Sequence, residues 1–105
     1  MYQIGDIVLL IFPFTDGVGA KKRPSMVILD TNDGDILVAR VTSKLSNTIY
    51  DVTLQDWKAA GLLLPSCVRL HKIATLETKL IEKKLGKLSP ADLEIVKEKL
   101  ESLFT

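Results

Sequence analysis

Apolar positions along the chain fall into short runs of strand length, separated by turn residues, until the last fifteen or so positions adopt a helical period. Asp6 is followed by Ile7-Val8-Leu9-Leu10-Ile11-Phe12, and Pro13 stops the run. An unbroken apolar run of this length, ended by proline, predicts a strand buried on both faces. Thr15 to Lys22, containing Asp16, Gly17 and Gly19, reads as a loop. Pro24–Leu29 and Ile36–Val41 read as two more strands joined by Asn32-Asp33-Gly34-Asp35, a hairpin signal because Asp-Gly accepts positive φ. Tyr50–Leu54 predicts a fourth strand. Thr53 to Ala60 predicts a short helix, since Thr53 and Asp56 have capping-box spacing and Gly61 stands where a C-terminal cap belongs. Ser66–Ile73 is a fifth strand, and Lys83–Leu88 a sixth at an edge, its lysines opposing edge-to-edge pairing. At the end, Ser89-Pro90-Ala91-Asp92 supplies an N-cap, a proline at the first helical position and an early acidic residue. Leu93, Val96, Leu100 and Leu103 then recur on one helical face.

Several short strands with one amphipathic helix imply a mainly β (α+β) fold, a small sheet curled into a barrel with the helix over its open side. The 105 residues suit a single domain spanning 1–105, with no repeat and no linker long enough to divide it. Hydrophobic residues at 47% and charged residues at 26% describe an ordinary globule. No apolar run reaches membrane-spanning length, and Met1 to Asp6 lacks the features of a signal peptide. Cys67 has no second cysteine to pair with. The expectation is a cytoplasmic protein with no membrane association. Net charge is only +1, but Lys21-Lys22-Arg23, Arg40 with Lys44, and Arg69 with Lys72 gather cations locally, as a phosphate-binding face would.

Metal chemistry finds little support: the chain has one histidine, one cysteine and no ligand pair at helical or loop spacing. No cofactor and no metal site are expected. Gly17-Val18-Gly19-Ala20-Lys21-Lys22 lacks the spacing of a phosphate loop and leads into a strand, not a helix. A serine-type triad fails because His71, inside a strand, has no orienting carboxylate beside it. Three segments remain that join cations or hydroxyls to apolar strands: Lys21-Lys22-Arg23-Pro24, Val41-Thr42-Ser43 and Val68-Arg69-Leu70-His71-Lys72. By strand alternation, Arg69 and His71 share one face.

These residues bring a family into view. Gly5-Asp6-Ile7-Val8, Phe12-Pro13-Phe14-Thr15-Asp16 and Lys21-Lys22-Arg23-Pro24 resemble the start of PemK/MazF-like toxins. The likeness continues in order through Val41-Thr42-Ser43, Asp56-Trp57-Lys58-Ala59-Ala60-Gly61-Leu62, Pro65-Ser66-Cys67-Val68-Arg69, Ile73-Ala74-Thr75-Leu76 and Leu85-Gly86-Lys87-Leu88-Ser89. The resemblance implies an SH3-like barrel, a homodimer, and sequence-selective cleavage of single-stranded RNA, silenced by a cognate antitoxin protein. It assigns Arg23, Thr42 and Arg69 to catalysis. Ser43 and the residues Phe14, Thr15, Asp16, Lys21 and Lys22 fall to RNA contact.

The implied reaction needs a base for the 2′-hydroxyl, a cation for the developing charge and an acid for the leaving oxygen, but no metal. Some family members follow the arginine at the Arg69 position with an aspartate two residues on; here His71 stands in that place. Imidazole titrates near neutrality and is a competent base, yet it lacks an aspartate's fixed charge. The proton-transfer roles are therefore expected to be redistributed, with His71 among the catalytic residues. The alternative is a catalytically inactive SH3-like module that grips RNA or an antitoxin. Trp57, Phe12 and the Leu93/Val96/Leu100/Leu103 stripe are expected to be core.

Overall fold

A computed structural model describes the chain from Met1 to Pro13 and from Val18 to Thr105. Its elements are β1 (Asp6–Pro13), β2 (Ala20–Asp30), β3 (Asp35–Thr42), β4 (Asp51–Thr53), β5 (Cys67–Glu77), a short 3-10 turn (Thr78–Leu80), β6 (Ile81–Lys87) and α1 (Pro90–Leu103). The apolar run of β1 is buried on both faces. Ile7 enters one cluster with Met26, Val41, Val68 and Leu70, whereas Val8 and Leu10 enter a second with Val27, Ile36 and Val38. Successive strand residues point to opposite faces, so a strand serving two clusters has no polar alternation.

The strands form one six-stranded sheet in the order β4-β5-β3-β2-β1-β6. Neighbouring strands pair antiparallel throughout. The architecture is the mainly β, barrel-like one expected, but the sheet stays open with β4 and β6 as its edges. α1 covers the larger cluster: Val96 is fully buried there, and Leu93, Leu100 and Leu103 pack against it. Burying a valine or leucine side chain contributes about 1.5–3 kcal/mol, so this stripe fixes the helix. Ser89 caps it, its Oγ accepting from the Asp92 amide at 3.2 Å.

Two expectations are corrected. The segment read as a short helix over Thr53–Ala60 is a single helical turn, closed by the Ala60 amide donating to the Asp56 carbonyl at 3.2 Å. Its cap comes from elsewhere in the chain. The buried Asp92 carboxylate accepts from the Gln55 and Asp56 amides at 3.2 and 2.9 Å, a partner no local pattern reveals. The turn ends at Gly61 (φ +86°), whose backbone lies against β6; a Cβ there would sit 2.1 Å from the Leu85 carbonyl oxygen. This turn therefore bridges from the β4 side of the sheet to the opposite edge. The second correction concerns Lys21 and Lys22, read as loop but lying within β2. Pairing with β1 continues out to Pro13–Ala20 and gives these polar residues ladder partners.

Candidate functional site

β2 and β3 pair only from Ser25–Arg40 onward to Asp30–Ile36. Beyond that point each strand follows a different neighbour. β2 continues to Ala20 against β1, and β3 continues to Thr42 against β5. The two strands splay, and a hollow of about 660 Å³ opens between them. Lys21, Arg23 and Pro24 line it from β2, and Arg40, Val41, Thr42 and Ser43 from β3 and the residue after it. The Gly61–Leu64 segment, held in place by the capped turn, and Lys83 of β6 complete the wall. Its chemistry is an apolar floor with a cationic rim, and among the described residues Arg23, Arg40, Lys21 and Lys83 make no ion pair. Such a rim is suited to phosphate groups.

Of the residues singled out by sequence, Lys21, Arg23, Thr42 and Ser43 meet in this hollow. The Thr42 Oγ1 accepts from the Lys44 amide at 3.1 Å, which orients the hydroxyl and leaves its proton to donate elsewhere. Lys22 is turned to another purpose, its Nζ ion-paired with Glu82 at 2.9 Å. Phe14, Thr15 and Asp16 lie outside the described residues.

Arg69 and His71 are not part of this lining. Arg69 stands opposite Arg40 in the β3–β5 ladder and opposite Asp51 in the β4–β5 ladder, so all three project from one face. Its Nε donates to the Asp51 Oδ1 at 3.0 Å. Asp51 is the carboxylate partner that sequence spacing placed nowhere near Arg69. The β3–β5 register slips between Ala39 and Arg40, where Arg69 and Ile73 face consecutive β3 residues. His71 sits within this irregularity, exposed, with its ring 4.9 Å from that of Tyr50 at 42°. No hydrogen bond or ion pair joins it to Arg69.

A smaller hollow of about 290 Å³ is lined by Phe12, Ser25, Lys72 and Ile73, and it shares Arg23 and Arg40 with the larger one. Sequence reasoning missed Arg40 as a site residue, although it stands two positions before Thr42, where alternation puts both on one face. Among the described residues no group of three or more His, Cys, Asp or Glu side chains is placed to hold a metal ion. Among the described residues no helix is long and apolar enough to cross a membrane.

Comparison with known proteins places this geometry in context. In overall structure the chain is similar to a MazE–MazF complex from Deinococcus radiodurans (TM-score 0.77, 22% identity, covering 98% of this chain and 95% of the other). It is also similar to a mycobacterial endoribonuclease solved with its cognate antitoxin (TM-score 0.75, 18% identity, 99% and 95% covered). The toxin MazF-mt6 of Mycobacterium tuberculosis is a third such structure (TM-score 0.71, 18% identity, 92% and 95% covered). At these identities the likeness speaks for the fold. Comparison with curated proteins by sequence returns no significant match. The profile of one family, however, matches residues 3–104, nearly the whole length, and the chain belongs to that family: the PemK-like, MazF-like toxins of type II toxin–antitoxin systems.

Proposed function

We propose that this toxin-family protein is an endoribonuclease that cuts single-stranded RNA at selected sequences without a metal ion, acting as a homodimer silenced by a cognate antitoxin. The observation that carries the reading is the meeting of Arg23 and Thr42, from two strands that part company, on the cation-rimmed hollow. In the reaction the 2′-oxygen forms a bond to the adjacent phosphorus as the bond from phosphorus to the 5′-oxygen breaks. A base takes the 2′-hydroxyl proton and an acid returns one to the 5′-oxygen, leaving a 2′,3′-cyclic phosphate and a 5′-hydroxyl. Arg23 offers a planar fork of donors to the charge growing on the phosphoryl oxygens, and Thr42 donates its hydroxyl to a non-bridging oxygen. Arg40 lies between the two hollows and opposite Arg69, so the cationic surface continues from Arg23 onto the β5 face. There Arg69 supplies a further cation and His71 the chain's one imidazole for proton transfer. Lys21 and Ser43, on the rim, contact the RNA.

The test is cleavage of a long unstructured RNA in excess EDTA, with product ends mapped. Discrete cuts bearing cyclic-phosphate and 5′-hydroxyl ends are expected. Arg23→Ala should slow cutting by about 10²-fold or more while leaving the melting temperature in place. Intact RNA from folded wild-type protein free of antitoxin would sink the reading. A second reading, a non-catalytic module that binds RNA or an antitoxin, is favoured by the position of His71 against Tyr50 and outside the lining of both hollows. It requires wild type and Arg23→Ala alike to leave RNA uncut.

A further inference from the structure

Arg69 is the one arginine among Arg23, Arg40 and Arg69 that has a carboxylate partner among the described residues, and that partner is built to stay where it is. The Asp51 side chain is 1% exposed, the Arg69 side chain 24%. One Asp51 oxygen, Oδ2, accepts from the Thr48 amide at 3.0 Å and the Thr48 hydroxyl at 2.7 Å, leaving Oδ1 for the Arg69 Nε. The backbone reinforces the arrangement: the Leu70 amide donates to the Tyr50 carbonyl at 2.9 Å, and Asp51 pairs with Arg69 in the ladder. The contact uses Nε alone, so both terminal nitrogens of the guanidinium have no hydrogen-bond partner among the described residues. Across the other ladder stands Arg40, a like charge directly opposite. Without a counter-charge, two arginines facing each other on one side of a sheet repel, and the more flexible swings away.

From this geometry we propose that Asp51 is the positioning residue for Arg69 in RNA cleavage. It holds the guanidinium beside Arg40 by its inner nitrogen, with the outer two directed to a phosphate. The role rests on the ribonuclease reading above. It also answers the family departure at position 71: the carboxylate for this arginine comes from the neighbouring strand β4 and not from two residues along β5. Asp51 does not touch RNA; it acts through Arg69.

A double-mutant cycle on the full chain tests this, with kcat and KM for RNA cleavage measured separately. Asp51→Asn should lower kcat by about 10- to 10²-fold, the penalty of a misplaced group, with KM within about threefold of wild type. Arg69→Ala should lower kcat at least as far, and adding Asp51→Asn to it should cost nothing more, because a positioning residue has nothing left to position. Losses that multiply in the double variant, or a folded Asp51→Asn protein with wild-type kcat, would overturn the proposal. Should Asp51→Asn fail to fold, side-chain 15N NMR of wild type decides. The Arg69 Nε–H should be rigid and slow to exchange while those of Arg23 and Arg40 average freely; a mobile Arg69 signal overturns the proposal. Uncut RNA from wild type would instead remove the ribonuclease reading itself, and the NMR result would still report on the clamp.

Discussion

Burial alone would raise the pKa of the Asp51 carboxyl, but the hydrogen bonds it accepts from the Thr48 amide and hydroxyl, Arg69 and Ser46 outweigh that. Together they hold it well below the usual carboxylate range. Each of these donors favours the charged form. A carboxylate with a depressed folded pKa binds its proton more readily in the unfolded chain. Its contribution to stability is therefore complete above the unfolded value of about 3.9 and fades as pH falls toward the folded one. Wild-type protein should lose stability progressively below about pH 4, and Asp51→Asn should flatten that part of the curve. Urea melts at pH 3 and pH 7 would show it; equal pH sensitivity in the two proteins would mean the carboxylate is not held as described. Arg23 lies outside this network, so Arg23→Ala should remove activity and leave both melts unchanged.

Among the elements, the turn between β4 and β5 has the greatest consequence for the site, because the wall segment Gly61–Leu64 hangs from it. The turn is held at both ends by distant parts of the chain. Asp92 of α1 caps its start, and the backbones of Gly61 and Gly86 meet at its end, where a Cβ on Gly86 would come within 2.5 Å of the Ala60 carbonyl oxygen. Asp92→Ala leaves two amides unpartnered and should cost about 1–3 kcal/mol. Gly61→Ala forces both a left-handed backbone conformation and a clash with β6, and should cost at least a comparable amount, about 1–3 kcal/mol. Thermal melts measure both. RNA cleavage should suffer in Gly61→Ala even at temperatures where the protein remains folded, because the wall of the hollow moves.

On the scale of the molecule, a net charge of +1 hides a local gathering of cations: Lys21, Arg23, Arg40 and Lys83 rim a single hollow. RNA binding should therefore weaken steeply with salt despite the near-neutral total. Each phosphate contact removed should lower the slope of log affinity against log salt by about 0.7 for a single strand. Arg40→Ala is the informative variant, since its side chain lies on both hollows. Fluorescence titrations at several salt concentrations, under conditions that prevent cutting, measure the slope. An unchanged slope would place the RNA elsewhere on the molecule.

The strands, the final helix and its buried stripe were legible in the sequence because each follows from local periodicity. Ile7 to Phe12 had to be buried on both faces, Ser89-Pro90 had to start a helix, and Val96 with its neighbours had to face the core. Arg23, Thr42 and Ser43 were legible from family pattern, and the fold does bring them to one hollow. Three things were decided by the tertiary structure. The helix expected at 53–60 is reduced to a turn between Thr53, which β5 takes into strand β4, and Gly61, which packs against β6, and its cap is a carboxylate 36 residues away from Asp56 in α1. Arg69 found its partner in Asp51, 18 residues distant, through the pairing of β4 with β5. His71 came to rest with its ring 4.9 Å from that of Tyr50, in the stretch of β5 between Arg69 and Ile73 where the β3 ladder is interrupted. Periodicity encodes which way a side chain points while a strand is regular. It carries no record of which distant strand lies alongside or where a bulge interrupts the ladder, and those contacts are set only when the whole sheet assembles on its core.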